Sequence, residues 1–269
     1  MKSDTASEDM SGGAPPPVPA ATVLVVRNSP SLEVLMVRRH TKVAFGGGAW
    51  VFPGGKVCEA DLDPVWDELS TGTFVQEERA FRVAAARETF EESGVLIGLD
   101  AQGRLAAPDL VTGLQAWRPE VERTPVLFER MLREAGLTLA LDRLIPFAHW
   151  VTPTFEPRRF DTRFYMVAAP EGQISAHDGR EAVDHVWTQP QTLLREREAG
   201  RAKLMFPTRL NLEVLAGYPD VTAAETGARA RPVIRIEPVV IERDGERLLQ
   251  IPAEAGYSVE EEPMTKVMD

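Results

Sequence analysis

The chain of 269 residues has a single cysteine, Cys58, so it can form no internal disulfide, and a reducing compartment is expected. It has no apolar run near the roughly 20 residues that a spanning helix needs. Residues 1–20 are polar, then rich in Pro and Ala, and lack the basic start and apolar run of a secretory signal. The chain ends Val267-Met268-Asp269, without a peroxisomal tripeptide. A cytoplasmic protein with no membrane association is the expectation. Positive charge is also short: 30 Lys and Arg stand against 41 Asp and Glu, a formal net charge of −11. That balance, with no basic tract, excludes broad binding to nucleic acid or anionic bilayers, and leaves room for a local basic pocket. Internal repeats are absent too. Hydrophobic residues make up 43%, enough for a substantial core.

Apolar runs at 21–26 and 32–37 read as strands joined by a turn at Asn28-Ser29-Pro30. Trp50-Val51 enters a short strand that breaks at Pro53-Gly54-Gly55. Asp63-Pro64 is an N-cap followed by a first helical position, which predicts a short helix over 64–69. Thr73 and Gln76 have capping-box spacing ahead of a long helix over about 74–93, with Gly94 as its left-handed stop. Helices are also expected over 108–117, from Thr124-Pro125 to Gly136, over 190–200 and over 208–216. Strands are expected at 145–152, 162–169 and 183–188, with a hairpin over 239–251 around Asp244-Gly245. This order predicts an α/β protein, a mixed sheet with helices on both sides. Residues 1–20 are expected to be a disordered tail, 21–257 the folded domain, and 258–269 a flexible tail.

The chemistry concentrates in Arg87-Glu88-Thr89-Phe90-Glu91-Glu92-Ser93-Gly94-Val95. On a helix, Glu91 and Glu92 fall three and four positions after Glu88, so the three carboxylates share one face. Like charges so placed repel one another. An arbitrary stretch of this kind is usually a solvated surface. A hard divalent cation is the other resolution, since Mg²⁺ takes carboxylate oxygens and shares its remaining positions with water and phosphates. Arg87 can pair with a neighbouring carboxylate and orient it.

The segment resembles the second half of the Nudix box, G-x5-E-x7-R-E-U-x-E-E-x-G-U, where U is bulky and apolar or Thr. Phe52-Pro53-Gly54-Gly55-Lys56 resembles the first half. The resemblance implies the Nudix α/β/α sandwich and hydrolysis of a diphosphate X–P–P–Y with Mg²⁺ or Mn²⁺. It makes Glu88, Glu91 and Glu92 metal ligands, with Gly55 lending a backbone carbonyl. Arg87, Gly54 and Gly94 would be structural parts of the box. Gly55 precedes Arg87 by 32 positions where the family pattern has 14, so about 18 residues, placed near 58–75, are inserted. The place of the box's first glutamate stays open. Asp61 stands at that offset counted from Gly55, and Arg79, preceded by Glu77 and Glu78, stands there counted from Arg87. Glu88 is one candidate general base. Glu181, in Asp178-Gly179-Arg180-Glu181, is another, because Nudix enzymes often set an acid on a loop facing the box. His177 and His185 flank that region without a specific role.

Arg38, Arg39 and the 48–55 segment resemble part of the signature upstream of the box in coenzyme A diphosphatases, with Ala44 where an arginine is expected. The segment from Trp150 to Phe164 is similar to the Nudix branch with an interrupted box, which includes the animal peroxisomal coenzyme A diphosphatase. Arg38, Arg158, Arg159 and Arg163 are the candidate substrate residues, because guanidinium forks suit phosphate oxygens. Trp150, Phe155 and Phe160 suit core packing better than base stacking. The expected substrate is coenzyme A or acyl-coenzyme A. Alternatives are ADP-ribose, NADH or nucleotide sugars, and a module that senses a nucleotide without cleaving it. The expected partner is this small molecule alone, with the chain a monomer or homodimer.

Overall fold

The computed structural model describes residues 14–40, 46–173 and 182–267, with the backbone alone for 182–184. The first half runs β1 (Val18–Asn28), β2 (Leu32–Arg39), β3 (Trp50–Val51), β4 (Gly54–Lys56), α1 (Gln76–Ser93), β5 (Gly98–Leu99), α2 (Pro108–Leu114), α3 (Arg118–Arg123), α4 (Leu127–Ala135) and β6 (Thr138–Leu139). The second runs β7 (Ile145–Val151), β8 (Phe160–Ala168), β9 (Ala182–Thr188), α5 (Pro190–Glu198), α6 (Phe206–Ala216), α7 (Val221–Ala230), β10 (Arg235–Ile236), β11 (Val239–Arg243), β12 (Glu246–Gln250), β13 (Glu261–Pro263) and α8 (Met264–Val267).

β1 organises the sheet. It pairs in parallel with β8 from Val18↔Phe160 to Val26↔Ala168, and antiparallel with β2 and β4. β7 and β10 extend the sheet beyond β8, while β9 and β3 pair with β2. Both faces are covered. Val23 and Val25 of β1 and Tyr165 and Val167 of β8 pack with Phe81, Ala84 and Phe90 of α1. Leu24, Val26, Phe164 and Met166 point the other way, against Leu210, Leu212 and Leu215 of α6 and Ala224 of α7. The alternation follows from the two-residue period of a strand. Burial on both faces is why β1 reads as an unbroken apolar run. The α/β/α sandwich with a mixed sheet is therefore present.

Several boundaries differ from the sequence reading. α1 begins at Gln76, its N-cap is Val75, and no side chain caps it. The Thr73–Gln76 capping box does not form, because Gln76 Nε2 donates to the Leu62 carbonyl instead. The helix expected over 64–69 is a 3-10 turn over Pro64–Asp67, capped as expected by Asp63 through the Val65 N–H. α3 and α7 had no sequence prediction. The first strand starts at Val18, inside the stretch read as a tail. Residues 258–267, read as part of a flexible tail, are tied down: β13 pairs with β12, and buried Glu262 pairs with Arg209 of α6. The β11–β12 hairpin turns on Asp244 (φ 55°) and Gly245 (φ 78°), the left-handed pair its sequence predicts. Among the described residues no helix is long and apolar enough to cross a membrane.

Candidate active site

α1 carries an electrostatic conflict at its C-terminal end. Its last turn has no basic residue, yet Glu88, Glu91 and Glu92 crowd the end where the helix dipole is negative. Two arginines offset this. Arg118 of α3 donates through Nε and Nη2 to the Glu91 carbonyl, at 3.0 and 2.8 Å. Arg87, only 3% exposed, sits inside the cluster. It donates to Asp61 Oδ1 at 2.9 Å and Oδ2 at 3.0 Å, to the Lys56 carbonyl at 2.9 Å, to Glu88 at 2.9 Å and to Glu91 at 2.8 Å. Of the positions that the sequence left open, Asp61 is the one that meets Arg87. Its two oxygens grip Arg87, and Oδ2 also accepts the Cys58 N–H at 2.9 Å. Glu77 and Glu78 point elsewhere, to Arg163.

The glycines after β3 bring this loop against α1. A Cβ on Gly55 would overlap the Glu88 carboxyl group, and one on Gly54 would strike the Ala21 carbonyl oxygen. The Gly54 N–H donates to Glu92 Oε2 at 2.9 Å. Gly94 ends the helix with φ 75° and its N–H on the Phe90 carbonyl. Burial, above all, pushes Glu88 up to about 7, with Glu91 and Asp61 adding to the rise and Arg87 opposing it. Glu91 is raised by burial in the same way. Burial and Asp61 also push up the Cys58 thiol.

Glu88 and Glu92 open into a cleft of about 820 Å³ that also takes in Gly54, Gly55, Lys56 and Arg158. Glu91 is buried against Arg87 and does not line it. Among the described residues, three His, Cys, Asp or Glu side chains are not gathered in one ready cluster. Two carboxylates and a backbone stripped of Cβ still fit a hard cation, because Mg²⁺ keeps several waters and takes one or two carboxylates. The raised proton affinity of Glu88 fits as well, since a cation would replace that proton.

The four arginines part company. Arg158 and Arg38 line the cleft. Arg159 does not: it is buried, pairs with Glu237, and donates to the Thr152 and Pro15 carbonyls at 3.0 and 2.9 Å. Arg163 is likewise spent on Glu77 and Glu78, with its guanidinium 4.0 Å from the Phe81 ring centre. Trp150 packs in the core, its Nε1 donating to the Tyr257 hydroxyl at 3.1 Å, and shows an edge to the cleft together with Phe155 and Phe160. His185 lies on β9. Glu181 and His177 lie outside the described residues. Lys56, Arg118 and Lys203 were not named as site residues from the sequence: Lys56 only closes the Phe52–Lys56 segment, and Arg118 and Lys203 belong to no motif. Only the fold puts Lys56 and Lys203 on the cleft and Arg118 on α1.

This architecture is similar to a solved NUDIX hydrolase from Alicyclobacillus acidocaldarius, with 28% identity, a TM-score of 0.66, and coverage of 78% of this chain and 96% of that one. The fold is therefore that of the Nudix superfamily. More narrowly, the family model of the NUDT19 Nudix domain matches residues 67–212, over half of the sequence, and the chain belongs to that family. The match starts beyond Gly54 and Gly55, whose place beside the box rests on the contacts above. The chain is 26% identical to the acyl-coenzyme A diphosphatase NUDT19 of Xenopus laevis, over 72% of this chain, and 28% identical to that of Homo sapiens, over 59% of it. It spans 62% of the length of the frog relative and 53% of the human one.

Proposed function

We propose that the chain hydrolyses a phosphoanhydride bond in a nucleoside diphosphate-linked small molecule, with coenzyme A or acyl-coenzyme A as the substrate. One observation carries the reading: two box carboxylates, Glu88 and Glu92, open into a cleft large enough for a nucleotide. The names of the frog and human relatives support the choice of substrate. Glu88, Glu92 and the Gly55 carbonyl would hold Mg²⁺ or Mn²⁺, and Glu91 joins them if it leaves Arg87. Such an ion supplies positive charge to the phosphoryl oxygens when bound.

The protein's own groups do the rest. Arg158 and Lys56 draw the diphosphate into the cleft. Glu92 accepts the Gly54 N–H, which orients its carboxylate toward the cleft, where it would hold the ion between itself and the phosphates. Water attacks one phosphorus, its proton passes to a carboxylate, and the bridging oxygen leaves with the bond pair as a phosphate. Glu88 is the candidate base in the described residues, and Glu181 the second. Cys58 is not called on as a nucleophile: burial and Asp61 push its thiol up, away from the thiolate that attack would need.

A product assay with Mg²⁺ on coenzyme A, acetyl-coenzyme A, ADP-ribose, NADH and a nucleotide sugar tests this. Cleavage of the coenzyme A compounds alone is expected. Cleavage of another compound instead would keep the hydrolase and replace the substrate. Tight binding without cleavage would leave a sensing module.

A further inference from the structure

Beside the cleft lies a second cavity of about 540 Å³, and its lining is out of character for a chain of net charge −11. Arg38, Arg197, Arg201, Lys203 and Lys266 face it, against the single carboxylate of Glu198. Gathering five cations costs repulsion that an anion would relieve. Arg201 is already answered by Glu196, which it grips at 2.7 and 2.8 Å. Arg197 donates to the Lys266 carbonyl at 3.3 Å, which ties α5 to α8 and closes one wall. The Lys203 carbonyl accepts the Trp50 N–H at 2.9 Å and fixes another. Among the described side chains, no carboxylate pairs with Arg197, Lys203 or Lys266. The cavity borders the cleft of Glu88 and Glu92, since Arg38 and Lys203 line both.

We infer that this cavity is a second anion subsite, taking a phosphomonoester that the substrate carries apart from its scissile diphosphate. The inference rests on the proposed function for the diphosphate end of the molecule. The 3′-phosphate of coenzyme A is a group of this class. ADP-ribose, NADH and ordinary nucleotide sugars have none, so the subsite would select among the candidate substrates by charge.

Calorimetry on the whole chain separates the subsite from catalysis. The wild type and the double variant Arg197→Ala with Lys266→Ala are titrated with adenosine 3′,5′-bisphosphate, adenosine 5′-monophosphate and inorganic phosphate. Neither substituted residue lines the catalytic cleft, and equal melting temperatures would establish that the variant folds. The wild type should bind the bisphosphate on the order of tenfold more tightly than the monophosphate. The variant should lose that advantage while its affinity for the monophosphate stays the same. Equal wild-type affinities, no measurable binding of either nucleotide, or a full advantage kept by the variant overturns the subsite. Inorganic phosphate binding as tightly as the bisphosphate would also overturn it, in favour of a free anion. Turnover of coenzyme A and its 3′-dephospho form at equal kcat/KM would sink the subsite and keep the hydrolase. A bisphosphate preference in a protein that cleaves no diphosphate would sink the hydrolase and keep the subsite.

Discussion

Arg87 spends its whole guanidinium inside the protein, on Asp61, Glu88, Glu91 and the Lys56 carbonyl. Removing its bidentate partner strands a buried cation. Asp61→Ala should therefore cost about 3–5 kcal/mol in a denaturant melt, and a loss near zero would mean that Glu88 and Glu91 hold Arg87 alone. Glu92→Gln keeps an acceptor for the Gly54 N–H and removes one charge. Turnover should fall by orders of magnitude at an unchanged melting temperature, and retained activity would sink the metal role of Glu92. Arg158 and Arg159, neighbours in sequence, should separate in assay. Arg158→Ala raises KM more than it lowers kcat, whereas Arg159→Ala, which uncovers Glu237, lowers the melting temperature. A shared phenotype would contradict their placement. The box residues were legible because their spacing is specific. Which arginine reaches solvent was not, since one residue along β8 and its approach moves a side chain from cleft to core.

Among the elements, the segment inserted into the box is part of the core. Trp66, 1% exposed, donates from Nε1 to the Ala60 carbonyl at 2.8 Å and lies 6.0 Å from the Phe128 ring of α4. The Thr71 N–H bonds the Leu139 carbonyl and fastens the insertion to β6. Trp66→Ala should cost about 3–5 kcal/mol by chemical denaturation, where a dispensable loop would lose almost nothing. The stop of α1 at Gly94 and the β11–β12 turn were readable because left-handed backbone demands particular residues. The start of α1 was not, because Gln76 found a partner in the insertion and Thr73 was left without its expected role. α7 escaped for another reason: the residues it buries, Ala224 and Ala228, are small and do not stand out as an apolar stripe until β7 and β8 pack on the helix.

For the molecule as a whole, the acidic end of α1 links stability to pH and, under the proposed function, to divalent ions. Glu88 is raised from its ordinary 4.5 to about 7, so the metal-free fold holds a proton that the unfolded chain releases. The stability this contributes is complete below about pH 4.5 and is lost as pH climbs through 7. Without divalent ions the melting temperature should fall between pH 5 and 8, and Mg²⁺, competing with the proton, should raise it more at pH 8 than at pH 5.5. An equal Mg²⁺ effect at both values would detach Glu88 from the ion. Sequence alone determined the sandwich, the three glutamates close together near the end of one helix, the glycines before them and the stop behind them. Those features follow from local geometry, in which periodicity and left-handed turns leave their mark on residue choice. Tertiary structure alone decided that Asp61 meets Arg87, that Glu91 turns inward while Glu88 and Glu92 face the cleft, and that cations from β2, α5 and α8 meet in one cavity. Contacts between residues far apart in the chain depend on which segments the two cores bring together, and no local spacing records that.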